Sequence, residues 1–238
     1  MNKQYTYEEF LNIVQTLRSE NGCPWDREQT HESLRPCLVE EAAEVISAIR
    51  IYNKTGNAEN LQEELGDVLL QVVMHARIAQ EEGLFSMEDV VNDIATKMVR
   101  RHPHVFGNVI ADNSSQVLEN WEEIKKKEKE GKSYIETPLK EIPKELPALT
   151  RATKVLKKAD KYYGRHRSFS EDVSSLKEAI AKLEGMSNHN ADKEMERELG
   201  NILMALSDIA GNKKISLEQI LTDRIEDFIE DCEKDCIN

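Results

Sequence analysis

The chain has 238 residues, of which 39% are hydrophobic and 32% charged, with only 10 glycines, 6 prolines and 5% aromatics. That balance argues for solvated helices around a real core and against a β-rich fold, which needs more turn residues and more β-branched or aromatic runs. A net charge of −13 repels phosphate backbones, so nonspecific nucleic-acid binding is not expected, and a polyanionic ligand would need a bound cation or a local Lys/Arg cluster.

The length allows one large domain or two small ones. Thr6 and Glu9 form a capping-box pattern that opens a first helix, with Phe10, Ile13, Val14 and Leu17 on its apolar stripe. NGCPWDREQT, residues 21–30, reads as a loop broken by Gly22 and Pro24. A second helix is expected from Leu34 to Tyr52, a turn over Asn53–Asn57, and a third helix from Glu59 to Glu82, stopped by Gly83. Ser86 with Asp89 caps a fourth helix that carries Met87 to Arg101 and ends at Pro103. A fifth helix starts near Ser115 and contains WEEIKKKEKE. Pro138, Pro143 and Pro147 then mark a linker, which places a domain boundary at about residue 140. Helices near 148–163, 170–184, 191–210 and 216–236 follow.

The two halves echo each other. QEELGDVLL (62–70) matches ERELGNILM (196–204), SMEDVVNDI (86–94) matches SLEQILTDR (216–224), and EEAAEV (40–45) matches KEAIAK (177–182). The expected architecture is therefore all-α, built from two related helical modules at 1–140 and 141–238. No apolar run approaches a membrane span, and MNKQYTYEEF lacks an apolar signal core. Cys23, Cys37, Cys232 and Cys236 show no CxxC pair or zinc-like spacing, and Cys232 and Cys236 on one helix face suit a disulfide poorly. Free thiols in a reducing cytoplasm are the expectation.

The central motif is EEAAE at 40–44 with ELGD at 64–67. Glu41 and Glu44 are three residues apart on one helix, as are Glu64 and Asp67 on the next, so each pair shares a face. A short turn makes the two helices antiparallel neighbours, and the carboxylates can converge. Converged carboxylates repel unless protonation or a divalent cation neutralises them, and oxygen-only ligands favour Mg²⁺, Mn²⁺ or Ca²⁺ over zinc. Ala42, Ala43 and Gly66 fit a close approach of helices. The competing reading is an ordinary solvated face, since the chain has 45 acidic residues.

Lys97, Arg100 and Arg101 occupy one helical turn, either as plain cations at a helix C-terminus or as a phosphate clamp. Trp121 and Lys125 are spaced i, i+4, so a base could stack on the indole while the ammonium reaches phosphate; the alternative is a Trp packed on the domain beside a solvated Lys. Trp25 and Asp26 either line the same site or pin their loop. His31, His75, His102 and His104 make no zinc-ligand pattern and read as packing or surface residues.

Taken together, EEAAE with ELGD, NGCPWDREQT, RRHPHVF and WEEIK resemble the MazG family of nucleoside triphosphate pyrophosphohydrolases, closely over residues 8–127. The resemblance implies an all-α homodimer whose helices combine into four-helix-bundle-type assemblies. It implies Mg²⁺-dependent hydrolysis of nucleoside triphosphates to monophosphate and pyrophosphate, with loose base selectivity and a house-cleaning role; Mn²⁺ is a possible substitute. It assigns metal ligation to Glu41, Glu44, Glu64 and Asp67, and triphosphate contacts to Lys97, Arg100, Arg101, Trp121 and Lys125. Glu40 matches the motif's leading Glu, with water orientation or support of the ligands as its suggested role.

The second half departs from the pattern. Lys177 stands where Glu40 stands, Ala181 where Glu44 stands and Asn201 where Asp67 stands, leaving Glu178 and Glu198 of the acidic set. Asp227, Glu230 and Asp231 replace Lys97, Arg100 and Arg101, and no Trp follows residue 121. Activity is thus expected in the N-terminal module, with a structural C-terminal one. Two rivals remain open: a pyrophosphohydrolase specific for dUTP/dCTP, phosphoribosyl-ATP or ppGpp, and a non-enzymatic helical dimerisation or regulatory protein. An intact acidic set in one copy alone argues against the second.

Overall fold

A computed structural model describes residues 3–129, 137–185 and 192–237 of the chain, with the side chains of Lys126, Lys129 and residues 235–237 left out; the Cys236 thiol therefore lies outside the described residues. The described residues are helical or connecting, with no strand among them. The chain forms two compact units, Met1–Lys129 and Glu130–Asn238.

The first unit contains α1 (Tyr7–Leu17), α2 (Pro24–Glu28), α3 (Arg35–Thr55), α4 (Glu59–Glu81), α5 (Met87–Arg101), α6 (Pro103–Phe106) and α7 (Ser114–Lys129). The capping box at α1 is present: Thr6 N–H donates to Glu9 Oε2 at 2.9 Å and Glu9 N–H to Thr6 Oγ1 at 3.2 Å. Ser86 and Asp89 build the same device at α5. Gly83 follows α4 at φ +72°, a conformation that favours glycine and turns the chain toward α5. The core gathers Val14, Leu34, Val73, Met74 and Ile78, with Phe10, Leu11, Leu70 and Met87 packed on it. Helix α4 is the centre of this unit, since α1, α3 and α5 all pack against it.

Two stretches differ from the expected loops. CPWD is not plain loop: Pro24 at the first helical position starts the short α2, where its missing N–H costs nothing. Pro103 ends α5 and in the same way starts α6. The expected close approach at Gly66 is also corrected. A Cβ built there would meet nothing within 4 Å, and Ala42 and Ala43 are exposed. Gly66 lies about 100° around α4 from Asp67, off the contact with α3.

The second unit contains α8 (Ala148–Tyr163), α9 (Phe169–Gly185), α10 (Asp192–Asn212) and α11 (Leu217–Ile237). Helix α10 packs on α8, α9 and α11, the pattern α4 shows with α1, α3 and α5. Leu149, Ala159, Ala179, Ala205 and Ala210 are buried there.

Candidate active site

Helices α3 and α4 are joined by residues 56–58 and packed together, which brings their acidic faces into register. Glu41, Glu64 and Asp67, all half-buried, each offer a carboxylate oxygen, and these oxygens lie within 4.8 Å of one another. No other such His/Cys/Asp/Glu group of three or more occurs among the described residues. Glu44 is exposed and stands outside this three-oxygen group, but its carboxyl hydrogen-bonds with that of Glu41 one turn away. Glu40 is exposed on the same helix. Desolvation pushes the Glu41 carboxyl above its usual range, reinforced by the hydrogen bond with Glu44 and by the charges of Asp67, Glu44 and Glu64. Asn60, one turn before Glu64, donates from Nδ2 to Glu64 Oε1 at 2.6 Å and fixes that carboxylate. A half-buried, oxygen-only set that raises the proton affinity of one member fits a hard divalent cation.

The expected cations and the indole meet on a second helix pair, α5 with α7. Arg100 Nη2 lies 2.6 Å from Glu128 Oε1, and Arg101 Nη2 lies 2.5 Å from Glu128 Oε2. Hydrogen bonds from Arg101, then from Arg100, hold the Glu128 carboxyl down to about 2. The Arg101 guanidinium stands 5.7 Å from the Trp121 ring centre, and His102 meets the indole edge-on at 5.2 Å. Lys97 and Lys125, both half-buried, sit one turn from Arg101 and Trp121 on their own helices.

The 21–30 segment is pinned by a residue that sequence reasoning passed over. Arg18, its side chain 5% exposed, donates through Nη1 to the Asp26 and Gln29 carbonyls at 2.5 and 3.1 Å, and its Nη2 pairs with Glu81 at 2.8 Å. Gly22 is required nearby, since a Cβ there would stand 2.2 Å from the Leu17 carbonyl oxygen. Asp26 thus pins its loop through its backbone, while Trp25 is 61% exposed. His31 and His75 form a pair: their Nδ1 atoms are 2.8 Å apart, the ring planes differ by 6° and the centroids are 5.1 Å apart, a head-to-head ring hydrogen bond.

In the second unit the counterparts of these acids form no such group among the described residues. Glu198, the counterpart of Glu64, is buried and receives Asn201 Nδ2 at 3.0 Å, with Lys182 Nζ at 3.6 Å and Arg197 Nη2 at 3.3 Å. The Asn201 hydrogen bond, then Lys182 and Arg197, lower its carboxyl. Glu178, Asp227, Glu230 and Asp231 are exposed.

Asn60 and Glu128 are the site residues that the sequence reading missed. Asn60 stands at i−4 from Glu64, and Glu128 at i+7 from Trp121, so helical spacing places each on the face of a residue already singled out.

Residues 29–106 match the MazG nucleotide pyrophosphohydrolase domain. The chain is 37% identical over 231 residues to the nucleoside triphosphate pyrophosphohydrolase/pyrophosphatase MazG of Thermotoga maritima, covering 94% of this chain and 83% of that protein. It is 38% identical over 224 residues to a nucleoside triphosphate pyrophosphohydrolase of Escherichia coli K12, covering 93% of this chain and 83% of that protein. It is also 41% identical over 223 residues to YabN of Bacillus subtilis, where it spans 44% of the relative's length.

Proposed function

The chain belongs to the MazG family of nucleotide pyrophosphohydrolases, and from that premise we propose that it hydrolyses nucleoside triphosphates to monophosphate and pyrophosphate at a site in its N-terminal unit, with Mg²⁺ and broad base selectivity. The observation that carries the reading is the convergence of Glu41, Glu64 and Asp67 oxygens within 4.8 Å across α3 and α4.

In this reading Glu41, Glu44, Glu64 and Asp67 hold the divalent ion, Mg²⁺ or in its place Mn²⁺. When bound, that ion supplies positive charge to the phosphates and acidifies water. Asn60 keeps Glu64 aimed at the other two carboxylates. Glu40, exposed one residue before Glu41, is placed to orient water or support the ligands. The water oxygen attacks the α-phosphorus, the bond from that phosphorus to the β-bridging oxygen breaks, and pyrophosphate leaves. Lys97, Arg100 and Arg101 neutralise charge on the leaving group. Trp121 offers the base a face to stack on and Lys125 adds a cation, contacts that suit loose selectivity because every base has a π-face.

The second unit serves a structural role in this reading. Its Glu198 is neutralised from within by Asn201, Lys182 and Arg197, and Asp227, Glu230 and Asp231 would repel a triphosphate. A homodimer is part of the same proposal. Leu38, Val39, Ile46 and Ile49 on α3 and Leu65, Leu69 and Val72 on α4 are all exposed in the single chain, an apolar surface that a second copy can cover.

Pyrophosphate release from a panel of nucleoside triphosphates, with Mg²⁺ and with chelator, tests the activity. Replacing Glu44 by Gln should nearly abolish turnover. Wild-type rates in that variant with Mg²⁺ would overturn the ligand assignment, and no release from any triphosphate by the wild type would overturn the function.

A further inference from the structure

We propose that Glu128 is an internal occupant of the triphosphate clamp: it holds the two arginines in place until a phosphate chain displaces it, and it competes with pyrophosphate as that product leaves. The inference rests on the reading above that Arg100 and Arg101 contact the triphosphate.

Adjacent residues on a helix point about 100° apart, yet both guanidiniums turn toward one carboxylate. Arg100 reaches Oε1 from Nε at 2.8 Å and from Nη2 at 2.6 Å. Arg101 reaches Oε2 from Nε at 3.1 Å and from Nη2 at 2.5 Å. The Nε/Nη2 edge is the fork with which an arginine grips carboxylate or phosphate bidentately. Both forks are therefore occupied in the free chain, and a phosphate chain that used them would have to dislodge Glu128.

The exchange favours a polyphosphate on charge. Glu128 offers one negative charge to two guanidiniums, whereas the terminal phosphates of a triphosphate offer more. An anion of single charge gains little over the resident carboxylate, so the device selects for ligand charge. The burial is uneven in a way that suits displacement. The side chains of Glu128 and Arg101 are 12% and 15% exposed, while that of Arg100 is 53% exposed and open to an incoming anion. Glu128 is tied to the clamp by spacing too: Trp121, Lys125 and Glu128 follow i, i+4, i+7 along one face of α7. A purely structural bridge would need only one arginine; the convergence of two fits a seat built for a larger anion.

Glu128→Gln keeps the shape and removes the charge, and Glu128→Asp keeps the charge one methylene shorter. In the full-length chain, Glu128→Gln should lower KM for the triphosphate and the inhibition constant of inorganic pyrophosphate, each about tenfold, without raising kcat; Glu128→Asp, which keeps the charge, should lower both constants less than Glu128→Gln does. A KM that rises, or a pyrophosphate constant that rises or stays unchanged, overturns the proposal and shows a carboxylate that merely supports α5 and α7. Calorimetric titration with inorganic pyrophosphate reads the same quantity without turnover. Tighter binding to Glu128→Gln, abolished by adding Arg101→Ala, supports the proposal even if no triphosphate is hydrolysed. Unchanged or weaker binding overturns it even in a chain that hydrolyses triphosphates normally.

Discussion

Replacing Asp67 by Asn should change the sign of its effect on stability when metal is added. The substitution keeps the side chain's shape and removes one of three carboxylates whose oxygens lie within 4.8 Å. At that separation each pair of charges repels by about 1 kcal/mol under water-like screening, and Asp67 takes part in two such pairs, so about 2 kcal/mol of repulsion is relieved. The amide can also donate to Glu64, as Asn201 donates to Glu198 at 3.0 Å in the second unit. In chelator, urea denaturation should therefore find the variant more stable than wild type by about 1–2 kcal/mol. Saturating Mg²⁺, at about 100 times its dissociation constant, should stabilise the wild type by about 2.7 kcal/mol and the variant far less, because a ligand is gone. The ranking then inverts between the two conditions. A variant less stable than wild type in chelator, gaining as much from Mg²⁺ as wild type does, would refute the idea that these carboxylates repel one another until an ion joins them.

Arg18→Ala should cost about 1–3 kcal/mol in the N-terminal unit, since it leaves the Asp26 and Gln29 carbonyls without their donor, while Glu81 keeps Arg77 at 2.9 Å; a urea midpoint within error of wild type would contradict this. His75 is held below its usual value by burial and by His31, so folding favours its neutral form. Stability should fall as pH drops below about 6.5 toward that lowered value, and His75→Gln should flatten this part of the urea-midpoint profile; an unchanged slope would place the titration elsewhere. Glu128, at about 2, should contribute stability that is fully present above about 4.5 and lost as pH falls toward 2, an acid limb that Glu128→Gln should weaken.

Local signals carried most of the fold. The capping boxes at Thr6 and Ser86 and the apolar stripe through Phe10, Ile13, Val14 and Leu17 give helix starts and faces without tertiary knowledge. The short helices at Pro24 and Pro103 were hidden because proline reads as a breaker whether it ends one helix or begins the next. At the site, Glu41, Glu64 and Asp67 were legible because two i, i+3 pairs on neighbouring helices can meet in few ways. Standing outside the three-oxygen group while bonded to Glu41, Glu44 shows what spacing leaves open: it fixes a face but not which oxygen on it turns inward. Glu128 was opaque for a different reason. It lies in a run of lysines and glutamates where every acid reads as a solvated face, and only the arrival of Arg100 and Arg101 from α5 sets it apart. The His31–His75 pair spans 44 positions with no shared motif, so no pattern along the chain could join them.

The two units also show two answers to one electrostatic problem. A carboxylate on the face where two packed helices meet needs a positive partner or a proton. In the first unit Glu64 stands near Glu41 and Asp67, and desolvation, reinforced by the hydrogen bond with Glu44 and the neighbouring charges, raises the Glu41 carboxyl; the set is short of positive charge and suits an ion from solution. In the second unit the counterpart Glu198 is more deeply buried, yet its carboxyl is lowered, because Asn201 and the Lys182 ammonium now face it. The change of Asp67 to Asn201 removes a negative charge and adds a donor, and Ala181 in place of Glu44 removes another, beside Lys182, whose ammonium supplies the cation. Each substitution alone would leave a metal site weakened; together they build the cation into the chain. A carboxylate neutralised from within has no electrostatic need for a divalent ion, which supports the proposal that metal-dependent chemistry belongs to the first unit.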